Sequence, residues 1–292
     1  MNIFNGLEKI IEKDYPLGES TWFGLGGKAE YFIRPQNVDQ LADVVKRCAE
    51  NNMPVRILGF GSNLLVRDQG VKGVVLKLDS EAFCKTGYDE FYLRVGAGAD
   101  LSKLVLDCVR KGLGGIEILA GIPGSVGGAV RMNAGGNFGD FGSAIESVTL
   151  MDNQGNVFEK SKPELSFDYR QTNITAKFIL DAKVKLYEAD PQQLLRTVKE
   201  VWIYKKNTQP LNTRNAGCVF KNPRGMGAGA MIDRAGLKGT KVGGAVVSEK
   251  HANFIIAEKG CKSSDVTSLI ETVKKKVKEK FDVELELEIE IW

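Results

Sequence analysis

The sequence predicts an α+β fold with stretches of α/β alternation, divided into three parts. Strand and helix patterns alternate between residues 38 and 111, which is typical of α/β units. Hairpin and strand patterns then dominate residues 148–187. A helix-start signal follows at Asp190-Pro191, and we take it as the main domain boundary. The predicted parts are residues 1–78, 79–190 and 191–292.

The elements of the first two parts follow from the spacing of their apolar residues. Apolar positions at helical spacing over residues 38–50 predict a helix that ends before Asn51. The run at residues 55–66 predicts a strand, a glycine turn and a second apolar segment. Further expected elements are strands at 73–78, 92–98 and 177–187, a helix at 101–111, and a hairpin of 148–152 with 155–160 around Asn153–Gly155.

The third part begins with a helix that has Asp190 as its N-cap and Pro191 in its first turn. After it we expect a short helix near residues 229–236 and a strand at 253–257. An amphipathic helix at 264–281 and an alternating apolar and charged run at 283–292 close the chain.

Composition restricts the class of protein. A hydrophobic content of 43% and a charged content of 26% are ordinary for a globular protein of 292 residues. The net charge of +3 is too small to indicate a nucleic-acid partner, and the lysines of residues 274–280 are interleaved with apolar residues, which favours a solvated helix face. Because the chain has neither a membrane-span pattern nor a signal-peptide layout at its start, we expect no membrane partner.

Cysteine and histidine usage restricts the chemistry. The five cysteines are widely spaced and form no CxxC pair, which favours a reducing cytoplasm over a disulfide framework, a zinc ribbon or an iron–sulfur cluster. His251 is the only histidine, so a multi-histidine metal site is excluded and we expect no metal.

Residues 121–136, GIPGSVGGAVRMNAGG, form the most informative segment, because six of these sixteen residues are glycine. Such density indicates positive φ angles or close approach of the backbone to a ligand, most commonly a diphosphate. The alternative is a tight loop packed under a sheet.

A second small-residue loop, GFGSNLLV at residues 59–66, also follows a strand-like segment. Two such loops could clamp an extended diphosphate, whereas GMGAGA at 225–230 and GLGGK at 24–28 lack the context of a dinucleotide fingerprint or a P-loop.

These two loops resemble the FAD-binding loops of the vanillyl-alcohol-oxidase-type flavoprotein fold. Four other segments resemble the UDP-N-acetylenolpyruvoylglucosamine reductase family, in its compact form. They are FDYRQT (167–172), NAGCVFKNP (215–223), AGLKGTKVGGAVVSEKHANFII (235–256) and FDVELELEIEIW (281–292). The resemblance implies two FAD-binding subdomains, residues 1–78 and 79–190, and a smaller α/β substrate domain at 191–292, whose last strand is expected to pack back on the second subdomain.

The resemblance also implies that the protein is a cytoplasmic enzyme of peptidoglycan precursor synthesis. Members of this family reduce the enolpyruvyl double bond of a UDP-sugar, with FAD as cofactor and NADPH as co-substrate. Residues expected to hold FAD without a covalent bond are Gly59, Gly61, Ser62, Asn63, Leu64, Gly121, Ile122, Pro123, Gly124, Ser125, Gly127, Gly128, Ala129, Asn133, Ala134 and Gly135.

Three positions match the catalytic positions of the family. Arg170 would stabilise the enolate-like intermediate with its planar guanidinium, and Glu288 would stabilise or orient that intermediate. Cys218 stands where many members have serine, and its thiol would supply the proton. Without the surrounding motifs, each would be a surface or packing residue, and Glu286 is the rival of Glu288.

The resemblance assigns substrate contacts to Tyr169, Lys221, Asn222, His251 and Lys205, with Lys206 as an alternative to Lys205. A structural hydrogen-bonding role is the alternative for His251. We expect a monomer whose partners are the UDP-sugar and NADPH. Two other functions remain open on sequence alone: an FAD-linked alcohol or sugar oxidase of the same fold, and a nucleotide-sugar-binding protein without turnover.

Overall fold

The structure is a computed structural model that describes residues 3–292, so Met1 and Asn2, the start of the predicted first part, lie outside the described residues. The chain divides into two compact units. The first consists of the chain up to Lys13, Tyr31–Gly59 and Lys72–Ile203, and the second of Asp14–Glu30, Phe60–Val71 and Tyr204–Trp292. Each unit is therefore assembled from segments that are distant in sequence.

The α-helices within residues 3–292 are α1 (Val38–Glu50), α2 (Glu81–Cys84), α3 (Leu101–Arg110), α4 (Val126–Arg131), α5 (Pro191–Thr208), α6 (Ala228–Arg234) and α7 (Ser263–Phe281). The strands are β1 (Ile11–Pro16), β2 (Lys28–Ile33), β3 (Val55–Ile57), β4 (Leu64–Leu65), β5 (Val71–Leu76), β6 (Thr86–Asp89), β7 (Tyr92–Gly96), β8 (Leu113–Gly114), β9 (Gly135–Gly136), β10 (Gly139–Asp140), β11 (Ile145–Met151), β12 (Val157–Ser161), β13 (Phe167–Asp168), β14 (Gln171–Thr172), β15 (Phe178–Lys185), β16 (Tyr187–Glu188), β17 (Lys241–Val242), β18 (Ala245–Val247), β19 (Ile255–Ala257) and β20 (Glu290–Ile291).

The first unit contains two hydrophobic cores. One lies around α1 and a sheet of order β1-β2-β5-β3, in which β3 and β5 are parallel. Helix α1 begins at Asn37, whose side chain accepts a hydrogen bond from the N–H of Gln40 at 2.9 Å. The buried residues of α1 are Leu41, Val44, Val45 and Cys48. The helical spacing of apolar residues thus forms one buried face, as predicted.

The other core of the first unit lies around a five-stranded antiparallel sheet of order β12-β11-β15-β7-β6. Helix α3 begins at Asp100, whose carboxylate accepts the N–H groups of Ser102 and Lys103 at 2.9 and 3.1 Å. Buried residues of α3, α4 and α5 belong to this core. The segment from Gly121 to Asn133 includes α4, so this core fixes the second half of the glycine-rich loop.

The second unit is built around α6, α7 and a three-stranded antiparallel sheet of order β17-β18-β19. The apolar face of α7 is buried, whereas most lysines of residues 274–280 are exposed, which confirms the predicted solvated face. Strand β20 pairs in parallel with β4, with Glu290 opposite Leu64. The end of the chain is therefore held by the 59–66 loop, which contains β4.

The predicted elements with clear periodicity are confirmed, including the β11–β12 hairpin and the helix after Asp190. Two features differ from the sequence expectations. The two units separate at residue 203, inside α5, and not at residue 190, and they are discontinuous. The last strand pairs with Leu64 and Leu65, which belong to the predicted first part.

No helix within residues 3–292 combines the length and apolar character needed to cross a membrane.

Candidate active site

Gly59, the first residue of the 59–66 loop, contacts the 121–136 loop within the first unit. Gly59 follows strand β3, and a Cβ atom added at Gly59 would lie 2.6 Å from Ser125 Oγ. Real Cβ atoms do not approach an oxygen so closely, so glycine at residue 59 permits the contact between the loops. The sequence predicts that the two loops act together, and this contact gives a physical reason for that expectation.

The backbone between Gly121 and Ser125 depends on glycine. Gly121 has a φ of 67° and Gly124 a φ of 149°, and both values lie where side chains are disfavoured. The N–H of Ile122 donates to Leu119 O at 3.0 Å, and Gly124 O accepts the N–H of Leu101 at 3.1 Å. The turn is thus fixed at both ends by main-chain hydrogen bonds.

The first turn of α4 uses its backbone donors within the protein. The N–H groups of Val126 and Gly127 donate to Ala99 O and Ala97 O at 2.9 and 2.8 Å. The N–H of Gly128 donates to Ser125 Oγ at 3.3 Å. These three N–H groups therefore already have acceptors within the protein. We expect a ligand to pack against the glycine backbone of this turn and not to bind these N–H groups.

Gly61 and Asn63, two predicted cofactor residues, contact other parts of the second unit. A Cβ at Gly61, whose φ is 64°, would lie 2.2 Å from Ser20 O. The side-chain nitrogen of Asn63 donates to Glu288 O at 3.0 Å, and Asn63 O accepts the N–H of Glu290 at 2.9 Å. Leu64 is buried in β4, and Ser62 is half-buried. Asn63 therefore anchors the C-terminal segment with its amide nitrogen.

Asn133 connects the glycine-rich loop with the Tyr169–Arg170 hairpin. It is 1% exposed and has a φ of 41°. Its side-chain nitrogen donates to Asp168 O at 2.9 Å, and its side-chain oxygen accepts the N–H of Gly142 at 2.8 Å. Ala134 N donates to Ala129 O, and the next residue, Gly135, begins β9.

Tyr169 and Arg170 form the two-residue turn between β13 and β14. Arg170 has a φ of 55°, which costs energy for a residue with a long side chain. Its guanidinium carbon lies 5.0 Å from the centre of the Tyr169 ring, and Tyr169 is exposed. The hairpin thus presents the predicted carboxylate-binding arginine next to an aromatic ring.

Cys218 lies in an extended segment of the second unit, between two other segments of that unit. On one side Cys218 pairs with Phe254, and on the other Phe220 pairs with Leu287. The N–H of Glu288 donates to Val219 O at 2.8 Å. Cys218 and Glu288, two of the predicted catalytic residues, are therefore brought onto neighbouring segments although 70 positions separate them in the chain.

Glu286, the rival of Glu288, has a different environment. Its carboxylate lies 3.5 Å from Lys221 Nζ, and its side chain is 77% exposed. Its main-chain oxygen accepts the N–H of Lys221 at 2.9 Å. Glu288 is half-buried. Glu288 is thus the more buried of the two carboxylates, and the ion pair of Glu286 is an exposed one that contributes little to stability.

The remaining predicted substrate residues lie in three places in the second unit. The side-chain oxygen of Asn222 accepts the N–H of Ala228, the first residue of α6, at 3.0 Å. His251 Nδ1 accepts the N–H of Asn253 at 3.2 Å, and burial lowers the pKa of His251, with Lys238 acting in the same direction. Lys205 lies in the last turn of α5, where burial lowers its pKa to about 8. The hydrogen-bonding role considered for His251 is thus present.

Two parts of the chain match known families. Residues 209–292 match the family described as UDP-N-acetylenolpyruvoylglucosamine reductase, C-terminal domain, and residues 29–161 match the family described as FAD binding domain. The UDP-N-acetylenolpyruvoylglucosamine reductase of Lachnoclostridium phytofermentans is 40% identical over 281 residues, which cover 94% of this chain and 91% of that protein. The chain belongs to the UDP-N-acetylenolpyruvoylglucosamine reductase family.

Solved structures give the same result. The crystal structure of UDP-N-acetylenolpyruvylglucosamine reductase from Thermus caldophilus superposes with a TM-score of 0.83 at 38% identity, over 97% of this chain and 98% of that one. A glucose dehydrogenase, Phl p 4.0202, has a TM-score of 0.51 at 16% identity over 65% of this chain and 45% of that chain, and this likeness concerns the fold alone. The predicted α+β fold with an FAD-binding domain is confirmed.

FAD is the cofactor of this family member, and the matched FAD binding domain contains both glycine-rich loops. The residues present fit such a cofactor. A Cβ added at Gly128 would meet only Ser125 Oγ, at 3.3 Å, so this turn leaves a surface free of side chains. Within residues 3–292 no group of three or more His, Cys, Asp or Glu side chains could hold a metal ion.

One residue of this site was missed by sequence reasoning. Asn253 is 2% exposed, and its side chain bonds both main-chain groups of Phe220. The available signal was a polar residue inside the apolar run from Ala252 to Ala257. A buried asparagine in such a run must find hydrogen-bond partners, which is a prediction that could have been made.

Proposed function

We propose that this protein reduces the enolpyruvyl double bond of UDP-N-acetylglucosamine enolpyruvate with NADPH and forms UDP-N-acetylmuramate, a peptidoglycan precursor. The observation that carries the proposal is the 40% identity to a reductase of this name over 94% of the chain. The matched length includes both glycine-rich loops and the segment with Cys218, so it covers cofactor and substrate functions together.

Bound FAD would supply the redox chemistry, the net transfer of a hydride from NADPH to the terminal CH2 of the enolpyruvyl group. The product requires one further proton at the carbon next to the carboxylate. Cys218 is the group that we assign to this step: its S–H bond breaks, and the proton forms the new C–H bond. A thiol suits the role because its ordinary pKa of about 8.5 lies far below that of an alcohol.

Arg170 is assigned to the charge that develops on the substrate carboxylate, and Glu288 is assigned to the orientation of the intermediate. The planar guanidinium of Arg170 can bind two carboxylate oxygens at once and stabilise the negative charge. Its φ of 55° supports this role, because strained backbone is retained where surrounding structure or function requires it. The half-buried position of Glu288 supports a role in orienting the intermediate.

Contacts with the UDP-sugar are assigned to Tyr169, Lys205, Lys221, Asn222 and His251. The cations suit diphosphate or carboxylate oxygens, and an exposed tyrosine suits a ring or a phosphate. The glycine-rich loop at residues 121–135, Gly59 and the neighbouring Ser62, Asn63 and Leu64 are assigned to FAD. Three of these groups already contact other parts of the protein: Gly61, the N–H of Gly127 and the amide nitrogen of Asn63. We therefore propose that they form the shape of the FAD site and do not donate hydrogen bonds to FAD.

The experiment that tests the function is NADPH oxidation by the purified flavoprotein with and without the enolpyruvyl UDP-sugar. We expect consumption of NADPH in proportion to the UDP-sugar supplied, together with formation of the lactyl ether product. Oxidation of NADPH or of sugars that depends on oxygen alone would favour the oxidase alternative. Substrate binding without turnover would favour the non-catalytic alternative.

We further infer a cytoplasmic monomer with two FAD-binding subdomains and a substrate domain. The two hydrophobic cores of the first unit support the two subdomains. Light scattering at several protein concentrations tests the monomer, and fractionation of cells that express the untagged protein tests the location.

A further inference from the structure

The main chain on the C-terminal side of Cys218 is held by one buried side chain, that of Asn253. The side-chain oxygen of Asn253 accepts the N–H of Phe220 at 2.9 Å, and its side-chain nitrogen donates to Phe220 O at 2.8 Å. The main-chain oxygen of Asn253 also accepts the N–H of Val219 at 2.8 Å. Three hydrogen bonds therefore connect this residue with the two residues after Cys218.

This arrangement replaces a regular strand pairing. The only ladder contacts of the segment within residues 3–292 are the single bridges of Cys218 with Phe254 and of Phe220 with Leu287. Phe220 is 1% exposed, so its main-chain groups need partners inside the protein. A carboxamide offers both a donor and an acceptor, and an apolar side chain offers neither.

The opposite side of the segment is bonded to the chain around Glu288. Val219 O accepts the N–H of Glu288, and Lys221 N–H donates to Glu286 O. Asn253 therefore fixes the position of the main chain at residues 218–221. This segment carries Cys218 and is hydrogen-bonded to the main chain of Glu288. A displacement of the segment would move both groups with respect to the reacting carbon.

We propose that Asn253 is a positioning residue for the proton transfer from Cys218. The inference rests on the proposed function, in which Cys218 donates the proton. Asn253 does not touch the substrate in this proposal: it acts through the main chain of Val219 and Phe220. A misplacement of about 1 Å can lower a rate by about 10²-fold, so loss of the amide contacts has a large effect on this step alone.

The test compares Asn253→Asp with Asn253→Ser in the FAD-loaded enzyme. An ionised aspartate accepts the N–H of Phe220 but cannot donate to Phe220 O, whereas a protonated aspartate can do both. We expect reduction of FAD by NADPH to stay near the wild-type rate in both variants. Reoxidation of the reduced enzyme by the enolpyruvyl UDP-sugar falls about 10²-fold at neutral pH. Lowering the pH restores the rate in Asn253→Asp and not in Asn253→Ser.

Alkylation of Cys218 gives a second readout that does not depend on turnover. Peptide mapping after limited iodoacetamide treatment should show a changed rate at Cys218 in both variants and an unchanged rate at Cys84, a partly exposed cysteine of the first unit. This measurement remains valid if one variant is too unstable for kinetics. Val184→Ala, in the core of the first unit, is the control for general loss of stability.

The outcomes separate the two proposals. If the wild-type enzyme does not reduce the enolpyruvyl group, the proposed function fails. If the wild-type enzyme reduces it and the folded variants at residue 253 reoxidise at the wild-type rate, the positioning role fails. Equal losses in FAD reduction and in reoxidation, or the same losses in Val184→Ala, would also overturn it, because they indicate a general structural effect.

Discussion

The main-chain N–H of Glu288 donates to the carbonyl oxygen of Val219 at 2.8 Å. Val219 follows the proposed proton donor, and Glu288 is the proposed carboxylate for the intermediate. A hydrogen bond between their segments means that the two groups share one piece of backbone structure. Substitutions that move one segment will therefore affect both functions.

Replacement of Cys218 by alanine should separate the two halves of the reaction. In Cys218→Ala, NADPH should still reduce FAD, but reoxidation by the UDP-sugar should fall by about 10²–10⁴-fold, the usual contribution of a positioned acid. Cys218→Ser should keep part of the rate, because a hydroxyl retains a transferable proton. Anaerobic stopped-flow absorbance of the flavin follows each half.

Cys84→Ala is the matched control for this series, since Cys84, like Cys218, forms no disulfide and it lies in the first unit. It should leave both half-reactions unchanged. Wild-type reoxidation in Cys218→Ala would remove Cys218 from the mechanism.

Substitution of Gly59 should weaken FAD binding. The new Cβ in Gly59→Ala would lie 2.6 Å from Ser125 Oγ and push the two loops apart. Overpacking of this kind costs about 1–3 kcal/mol, so we expect the dissociation constant of FAD to rise about 5- to 150-fold. Quenching of FAD fluorescence during titration of the apoprotein measures it.

Gly87→Ala is the control for Gly59→Ala, because a Cβ at Gly87 has no heavy atom within 4 Å. It should bind FAD like the wild type. Equal affinity in both variants would contradict a role of the contact between Gly59 and Ser125 in forming the cofactor site.

The charge of Lys205 should make substrate affinity depend on pH. Burial lowers its pKa to about 8, so the free enzyme loses this cation as the pH rises through that value. If Lys205 binds an anionic group, kcat/KM for the UDP-sugar falls above about pH 8. Lys205→Met should lower kcat/KM about 10- to 150-fold at neutral pH, because a hydrogen bond to a charged group contributes about 1.5–3 kcal/mol.

The conservative variant Lys205→Arg should retain affinity and lose the pH dependence, since arginine stays charged. Lys206→Met tests the neighbouring exposed lysine. A larger effect at residue 206 than at residue 205 would transfer the substrate contact to Lys206.

His251 should make the stability of the fold depend on pH. Its pKa is lowered in the folded state by burial and by Lys238. As the pH falls below about 6.5, His251 therefore takes up a proton in the unfolded chain at a higher pH than in the folded protein. The contribution of His251 is thus complete above about pH 6.5 and is lost on acidification. Protonation also removes the acceptor at Nδ1 that binds the N–H of Asn253.

Urea unfolding between about pH 7.5 and about pH 5.5 measures this effect. His251→Asn keeps an acceptor but does not titrate, so the free energy of unfolding should vary less with pH than in the wild type. An identical pH dependence in the two proteins would exclude His251 as its source.

Local patterns predicted most helices but not the division of the chain. Apolar spacing at residues 38–50 and 264–281 depends on neighbours in sequence, and both helices are present. The second unit joins residues 14–30 and 60–71 to the C-terminal region, and such long-range pairing leaves no periodic signal. Of the alternating run at residues 283–292, only Glu290–Ile291 form a strand, which pairs with the two residues of β4.

The sequence motifs predicted which residues belong to the candidate site, but they did not predict the hydrogen-bond partners of those residues. The motifs single out Cys218 and Glu288, and the structure brings their segments together. The assignment of Asn63 to FAD stays a prediction, but its amide nitrogen binds Glu288 O. A sequence motif identifies an amide and cannot say which partner it faces. Asn253 lies inside the 235–256 segment but received no role from the sequence, since its importance comes from hydrogen bonds to a residue 33 positions away.

The buried side chain of Asn133 has a consequence for protein engineering. It bonds the main chain of Asp168, beside the Tyr169–Arg170 turn, while its own backbone belongs to the glycine-rich loop. Under the proposed assignments, this one side chain therefore links affinity for the flavin with turnover of the UDP-sugar. We therefore expect a library that diversifies residues 121–135 to change turnover of the UDP-sugar together with cofactor affinity.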